Sequence, residues 1–160
     1  MVMRKRFFQE LYELMKQNDK IVALTGDLGY GGFDAIRQDF PDRFINCGAS
    51  EFAMVGIACG LALEGKIPVV YSITPFLLYR PFEMIRTYVD HEQIPVKLVG
   101  SGRDDDYKHD GYSHDATDVM GILSSLKYIK QYYPPDSDAM VINLTELLEN
   151  DRPCFLSLKR

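Results

Sequence analysis

A chain of 160 residues has the length of one ordinary domain and buries about two thirds of its unfolded surface, enough to fold without staples. Hydrophobic residues at 46% and charged residues at 26% are globular proportions. A net charge of -5, with no basic run beyond Arg4-Lys5-Arg6, argues against nucleic acid or an anionic membrane as the main partner.

Cys47, Cys59 and Cys154 are widely spaced among apolar or small neighbours, which suggests neither a disulfide framework nor a zinc site. They read as buried thiols in a reducing compartment. No stretch approaches the roughly 20 apolar residues of a membrane span, and Met1 to Arg6 leads into an amphipathic segment rather than a secretory leader, so a cytoplasmic protein is expected.

In chain order, Phe7, Phe8, Leu11, Leu14 and Met15 recur at helical intervals and predict a helix from Arg4 to Lys16, stopped by Asn18-Asp19. Ile21 to Leu24 follows as an apolar strand. Phe33, Ile36 and Phe40 predict a helix closed by Pro41, and Phe44-Ile45 a short strand. The pattern continues with a helix from Ser50 to Glu64, a strand from Ile67 to Tyr71, a helix from Pro81 to His91 and a strand from Val96 to Val99. After a long polar loop come a helix over Thr117 to Leu126, a strand near Tyr128 to Gln131, a helix from Ser137 to Glu149 and a strand from Cys154 to Leu158. Strands of unbroken apolar residues alternating with helices predict a single α/β domain, doubly wound, with a mainly parallel six-stranded sheet and helices on both faces.

In such sheets, functional groups gather beyond the carboxyl ends of the strands. That rule selects Thr25 to Gly32, Cys47 to Glu51, Ser72 to Arg80 and Gly100 to His114. The first is a glycine-rich loop between a strand and a helix that could cradle a phosphate, but it has neither Gly-x-Gly-x-x-Gly spacing nor a P-loop lysine, and a mobile turn needs the same glycines. Glu51 opens a helix carrying Gly56 and Gly60 four residues apart, a spacing that fits a close helix contact inside the chain or at an interface. By pattern alone, Glu51 is equally a first-turn acid that favours the helix dipole, with Ser50 as the cap.

Phe76, Leu77, Leu78, Tyr79 and Phe82 give the third loop more apolar surface than solvated loops carry. They serve as core or as one wall of a pocket for a flat ring, with Arg80 and Arg86 as possible salt-bridge clamps. In the fourth loop, the run Asp104-Asp105-Asp106 with His109 lacks the alternating ligands of a calcium loop, and no metal site is assigned. Asp110 and His114, bracketing a glycine turn, are suited to converge on a polar substrate.

The motifs Thr25-Gly26-Asp27-Leu28, Arg43 to Glu51, Arg80-Pro81-Phe82-Glu83-Met84-Ile85-Arg86, Asp110-Gly111-Tyr112-Ser113-His114 and Pro153 to Arg160 stand in one order over the whole chain. In that order they resemble the pyrimidine-binding domain of transketolase-like thiamine diphosphate enzymes. The resemblance implies that Glu51 hydrogen-bonds a ring nitrogen of the cofactor's aminopyrimidine and so helps remove the proton of the thiazolium carbon. It places Phe76 stacked on the pyrimidine, Phe82 lining the pocket and Asp27 near the cofactor. It gives Asp110 and His114 the sugar hydroxyls, with His114 also moving protons, and Arg160 the substrate's phosphate.

Departures from the family pattern are equally specific. Ile73 stands where a second aromatic is common, Asp115 where glutamine usually follows the histidine, and Gly102 where some members carry another substrate histidine. The family binds its diphosphate and magnesium through Gly-Asp-Gly with a later Asn on a separate domain, and this sequence lacks that motif, Gly26-Asp27 continuing as Leu28-Gly29. The expectation is therefore the pyrimidine-binding subunit of a split enzyme. It would be inactive without a separate diphosphate-binding subunit that holds most of the cofactor and Mg2+, in a homo- or heterodimer or a heterotetramer. Ketol transfer between sugars or sugar phosphates is the expected reaction. A split 2-oxo acid decarboxylase and a noncatalytic regulatory subunit are the alternatives.

Overall fold

A computed structural model describes residues 2–160; Met1, where the leader reading begins, lies outside them. The elements are α1 (Met3–Gln17), β1 (Ile21–Thr25), α2 (Asp34–Asp39), β2 (Phe44–Asn46), α3 (Glu51–Leu63), β3 (Ile67–Ile73) and α4 (Thr74–Tyr79). They continue with α5 (Phe82–Met84, widening into a π-helical turn over Ile85–His91), β4 (Lys97–Ser101), α6 (Val119–Leu123), β5 (Lys130–Tyr132), α7 (Ser137–Glu149) and β6 (Cys154–Leu158). The six strands form one sheet in the order β2-β1-β3-β4-β6-β5, every pairing parallel.

Strands β1, β4 and β6 are buried along their whole length, as continuous apolar runs require when both faces are covered. Alternation along each strand divides the core in two. Val22, Leu24, Val70 and Leu98 pack with α3, α4 and the 85–91 turn, while Ala23, Val69, Tyr71 and Val99 pack with α1 and α7. Successive strands step outward in opposite directions from β1 and β3, so a crevice opens at their carboxyl ends.

Two segments differ from the sequence-based expectation. Residues 74–79 form a helix rather than a loop, with Pro75 in the first turn, where its missing N–H is no loss. Leu77 and Leu78 turn into the core at 0% exposure and leave Phe76 and Tyr79 outside it, so the segment is both core and pocket wall. The fifth strand begins at Lys130 rather than Tyr128. The amides of Lys127, Tyr128 and Ile129 all donate to the Asp90 carboxylate at 2.7 to 3.1 Å, and pairing with β6 starts only beyond them.

The cysteines are all free; Cys59 and Cys154 are buried, whereas Cys47 is only half-buried. Gly56 makes its close approach within the chain, where an added Cβ would lie 3.3 Å from the Met84 methyl, while Gly60 faces open space.

Candidate active site at the carboxyl ends of β1, β2 and β3

Glu51 is the first residue of α3 and only 3% exposed. Its position follows from a tight backbone lock. The Cys47 amide donates to the Thr25 carbonyl at 2.8 Å, extending the β1–β2 pairing by one residue. Asn46 Oδ1 then accepts from the amides of Asp27 at 2.9 Å and Gly48 at 3.0 Å, tying the two loops together. Gly48 turns the chain with φ +66°, a conformation that glycine adopts without steric cost. The Ser50 side chain makes no capping bond. Its amide donates instead to the Gly48 carbonyl at 2.7 Å, and its carbonyl accepts from Met54 at 2.9 Å. Glu51 therefore turns inward, and an added Cβ at Gly26 would stand 3.7 Å from its Oε1.

Arg80 Nη1 donates to Glu51 Oε1 at 2.6 Å, and the Arg80 guanidinium carbon lies 3.7 Å from the centre of the Phe76 ring. The His114 ring meets Phe76 edge to face at 4.8 Å, and Ser113 Oγ is 3.0 Å from His114 Nδ1. Thr74 Oγ1, the first hydroxyl of α4, donates to the Gly102 carbonyl at 2.6 Å and fastens this helix to the end of β4. Gly100 leaves room for that hydroxyl, since a Cβ there would come within 2.6 Å of it.

Beside Phe76 and Arg80 a cavity of about 390 Å³ opens toward Tyr79, Tyr112, Asp115 and Asp118. Partial burial, followed by a hydrogen bond to Asp118, pushes the Tyr79 phenol well above its ordinary value. The Thr117 amide, 3.0 Å from Asp115 Oδ1, holds that carboxyl below its own. A larger groove of about 770 Å³ lies between α1 and Tyr30 to Gly32, lined by Phe8, Tyr12 and Tyr30. The smaller cavity is the better candidate site because Phe76 and Arg80 line it and connect it to the buried Glu51 and to His114.

Of the residues selected by sequence, Glu51 and Phe76 are linked here through Arg80, and His114 joins them through the Phe76 ring. Asp110 and Arg160 join a second group around His109. There Nε2 is 3.5 Å from Asp110 Oδ2 and 3.2 Å from Arg160 Nη1, and the Arg160 amide donates to Asp106 Oδ2 at 2.9 Å. Asp27 has φ +59° and turns toward Asn46, whose Nδ2 is 3.3 Å from its Oδ1. Phe82 is half-buried and packs against the core beneath α3. Asn46 and Arg80 were not assigned these roles from sequence. Asn46 stands in the same motif as Glu51, and Arg80 opens the Arg-Pro-Phe-Glu motif, so both signals were present without a contact to interpret them.

Among the described residues, no group of three or more His, Cys, Asp or Glu side chains is arranged to hold a metal, and no helix is long and apolar enough to cross a membrane.

The family model described as "Transketolase, pyrimidine binding domain" matches residues 1–160. A 6-deoxy-6-sulfo-D-fructose transketolase subunit, SqwH, of Clostridium sp. (strain MSTE9) is 30% identical over 159 residues, spanning 99% of this chain and 49% of that protein. A putative transketolase C-terminal section of Methanocaldococcus jannaschii is 33% identical over 159 residues, spanning 99% of this chain and 50% of that protein. A solved structure titled "Split gene transketolase, inactive beta4 tetramer" superposes with a TM-score of 0.87 at 27% identity, covering 100% of this chain and 52% of that one. The chain thus spans about half the length of these relatives.

Proposed function

We infer a function from one premise: this chain belongs to the family of transketolase pyrimidine-binding domains. In our reading it is the pyrimidine-binding subunit of a split transketolase-like enzyme that moves a two-carbon ketol unit between sugars or sugar phosphates. Its partner is a diphosphate-binding subunit that supplies the Gly-Asp-Gly and Asn ligands for the diphosphate and Mg2+, a motif absent from this sequence. The relatives described as transketolase subunits support that arrangement.

The observation that carries the reading is the buried Glu51 carboxyl reached, through a single guanidinium, by the Phe76 ring. This donor set fits an aminopyrimidine, which needs a carboxyl at its edge and an aromatic face beneath it. Thiamine diphosphate, when bound, supplies the acidic carbon on which carbon–carbon bonds break and form. Glu51 would hydrogen-bond the ring nitrogen, a contact that would make the neighbouring amino group a better proton acceptor and donor by turns. Phe76 would fix the plane of the ring. His114, whose Nδ1 is 3.0 Å from Ser113 Oγ and whose ring meets Phe76, would exchange a proton with a sugar hydroxyl. Asp110 and Arg160, grouped around His109, would bind the far end of the sugar and its phosphate.

The test is reconstitution. The purified chain alone should be inactive, and addition of the diphosphate-binding partner, thiamine diphosphate and Mg2+ should produce ketol transfer from a ketose phosphate donor. Release of carbon dioxide from a 2-oxo acid instead would favour the decarboxylase reading. An assembled complex that takes up no thiamine diphosphate would make the chain a regulatory subunit.

A further inference from the structure

A ring held between Glu51 and Phe76 must offer hydrogen-bonding groups in its plane and a flat face for stacking. One side chain of this protein already does both. Arg80 donates through Nη1 to Glu51 Oε1 at 2.6 Å and lays its guanidinium carbon 3.7 Å from the Phe76 centroid. A guanidinium is planar and delocalised, donates in its plane and stacks through its face, so it presents to these two residues the in-plane N–H and flat face that a ring-protonated aminopyrimidine offers a carboxylate and an aromatic ring.

We propose that Arg80 is an internal occupant of the aminopyrimidine site, covering Glu51 and Phe76 until the cofactor's ring displaces it. The proposal rests on the roles of Glu51 and Phe76 given above.

Burial explains why an occupant is required. Glu51 is 3% exposed, and a carboxylate withdrawn from water needs a partner or it destabilises the fold. Arg80 supplies the charge in the absence of the cofactor. Its own side chain is 45% exposed, so it can leave without disturbing the core. It also has somewhere to go, because the adjoining cavity presents Asp115 and Asp118. Displacement lowers the apparent affinity for the cofactor by the fraction of time the site is free, and uncovers Glu51 only when a ring arrives to replace the guanidinium. The sign separates this role from direct contact. Loss of an Arg80 that touched the cofactor would weaken binding, whereas loss of an occupant strengthens it.

The test uses 4-amino-5-aminomethyl-2-methylpyrimidine titrated calorimetrically into the chain, and thiamine diphosphate with Mg2+ titrated into the complex with the partner subunit. If Arg80 occupies the site about nine-tenths of the time, Arg80→Met, which keeps the aliphatic stem, should bind both ligands roughly tenfold more tightly. Arg80→Lys should fall between, and adding Glu51→Gln to Arg80→Met should remove the gain. A second measurement needs no variant. The Arg80 guanidinium protons of the wild-type chain, followed by NMR, should lose protection from solvent exchange as the aminopyrimidine is added. Unchanged or weaker binding by Arg80→Met, or Arg80 protons still protected at saturation, overturns the proposal. If no form, the complex included, takes up either ligand, the assignment of Glu51 and Phe76 falls, and this proposal falls with it.

Discussion

Among the described residues two carboxylates are buried, Glu51 and Asp90, and they are held in opposite ways. Asp90, in the π-helical turn, accepts three backbone amides from Lys127, Tyr128 and Ile129, none of which can leave without unfolding the segment. Glu51 is bonded to a guanidinium carried on a half-exposed side chain. Lys97, the buried cation, resembles Asp90. Its Nζ donates to the carbonyls of Asn150 at 2.7 Å and Arg152 at 2.6 Å, and burial lowers its pKa. A buried charge satisfied by backbone belongs to the architecture, whereas one satisfied by a removable side chain can change partners, and that freedom suits a binding site.

The comparison fails if the two carboxylates respond alike to substitution. If the proposed function holds, Glu51→Gln in the complex with the partner subunit should lower the turnover of ketol transfer by about 10² to 10⁴-fold, the range for loss of a proton-transfer group. The same variant should shift the thermal midpoint by only a few degrees. Asp90→Ala should do the reverse. Leaving three amides unpaired, that of Ile129 buried and those of Lys127 and Tyr128 part-buried, should cost about 3 kcal/mol of unfolding free energy in urea titrations, with activity per folded molecule retained. A loss of activity without a loss of stability would remove the distinction.

Smaller effects sharpen it. Gly48→Ala should cost about 1 kcal/mol, because φ is +66° and the new methyl would meet nothing within 4 Å, so the cost is conformational. Gly48→Asn, which tolerates that backbone, should cost less than Gly48→Val, and equal losses would mean that side-chain crowding decides. The smallest effect concerns the thiols. Burial pushes Cys59 up to about 11, while Cys47, in the loop before Glu51, is half-buried. Iodoacetamide should therefore modify Cys47 first. A thiol whose folded pKa is raised from 9.0 to about 11 stabilises the fold less as pH rises through that window, so Cys59 protection should weaken only there. Equal rates for the two would show that the loop before Glu51 is packed as tightly as the core.

Much of the fold was legible in the sequence, whereas the contrast between Glu51 and Asp90 was not, and the reasons are local. Unbroken runs such as Val69-Val70-Tyr71 and Cys154 to Leu158 announce strands buried on both faces, and their alternation with helical periods fixes a parallel sheet. Glu51 drew notice because it follows a glycine turn at the end of a strand, but pattern alone read it as a helix-dipole acid and only the family resemblance gave it a chemical role. The partner of Glu51 did not stand out, because Arg80 is 29 residues away on a different crossover and no periodicity connects them. Helix α4 was hidden by its length. Six residues opening on Thr74-Pro75 read as a turn until Leu77 and Leu78 have a core to enter. The early end of the 128–131 strand was illegible for the same reason, since a carboxylate 37 to 39 positions upstream takes its amides.

The most direct measurement is the rate at which the assembled complex, loaded with thiamine diphosphate and Mg2+, exchanges the cofactor's thiazolium C2 proton for deuterium. Wild-type and Glu51→Gln complexes would be compared at equal cofactor occupancy. Exchange should slow by about 10²-fold or more when Glu51 is replaced. Equal rates in the two complexes would contradict the assignment of Glu51.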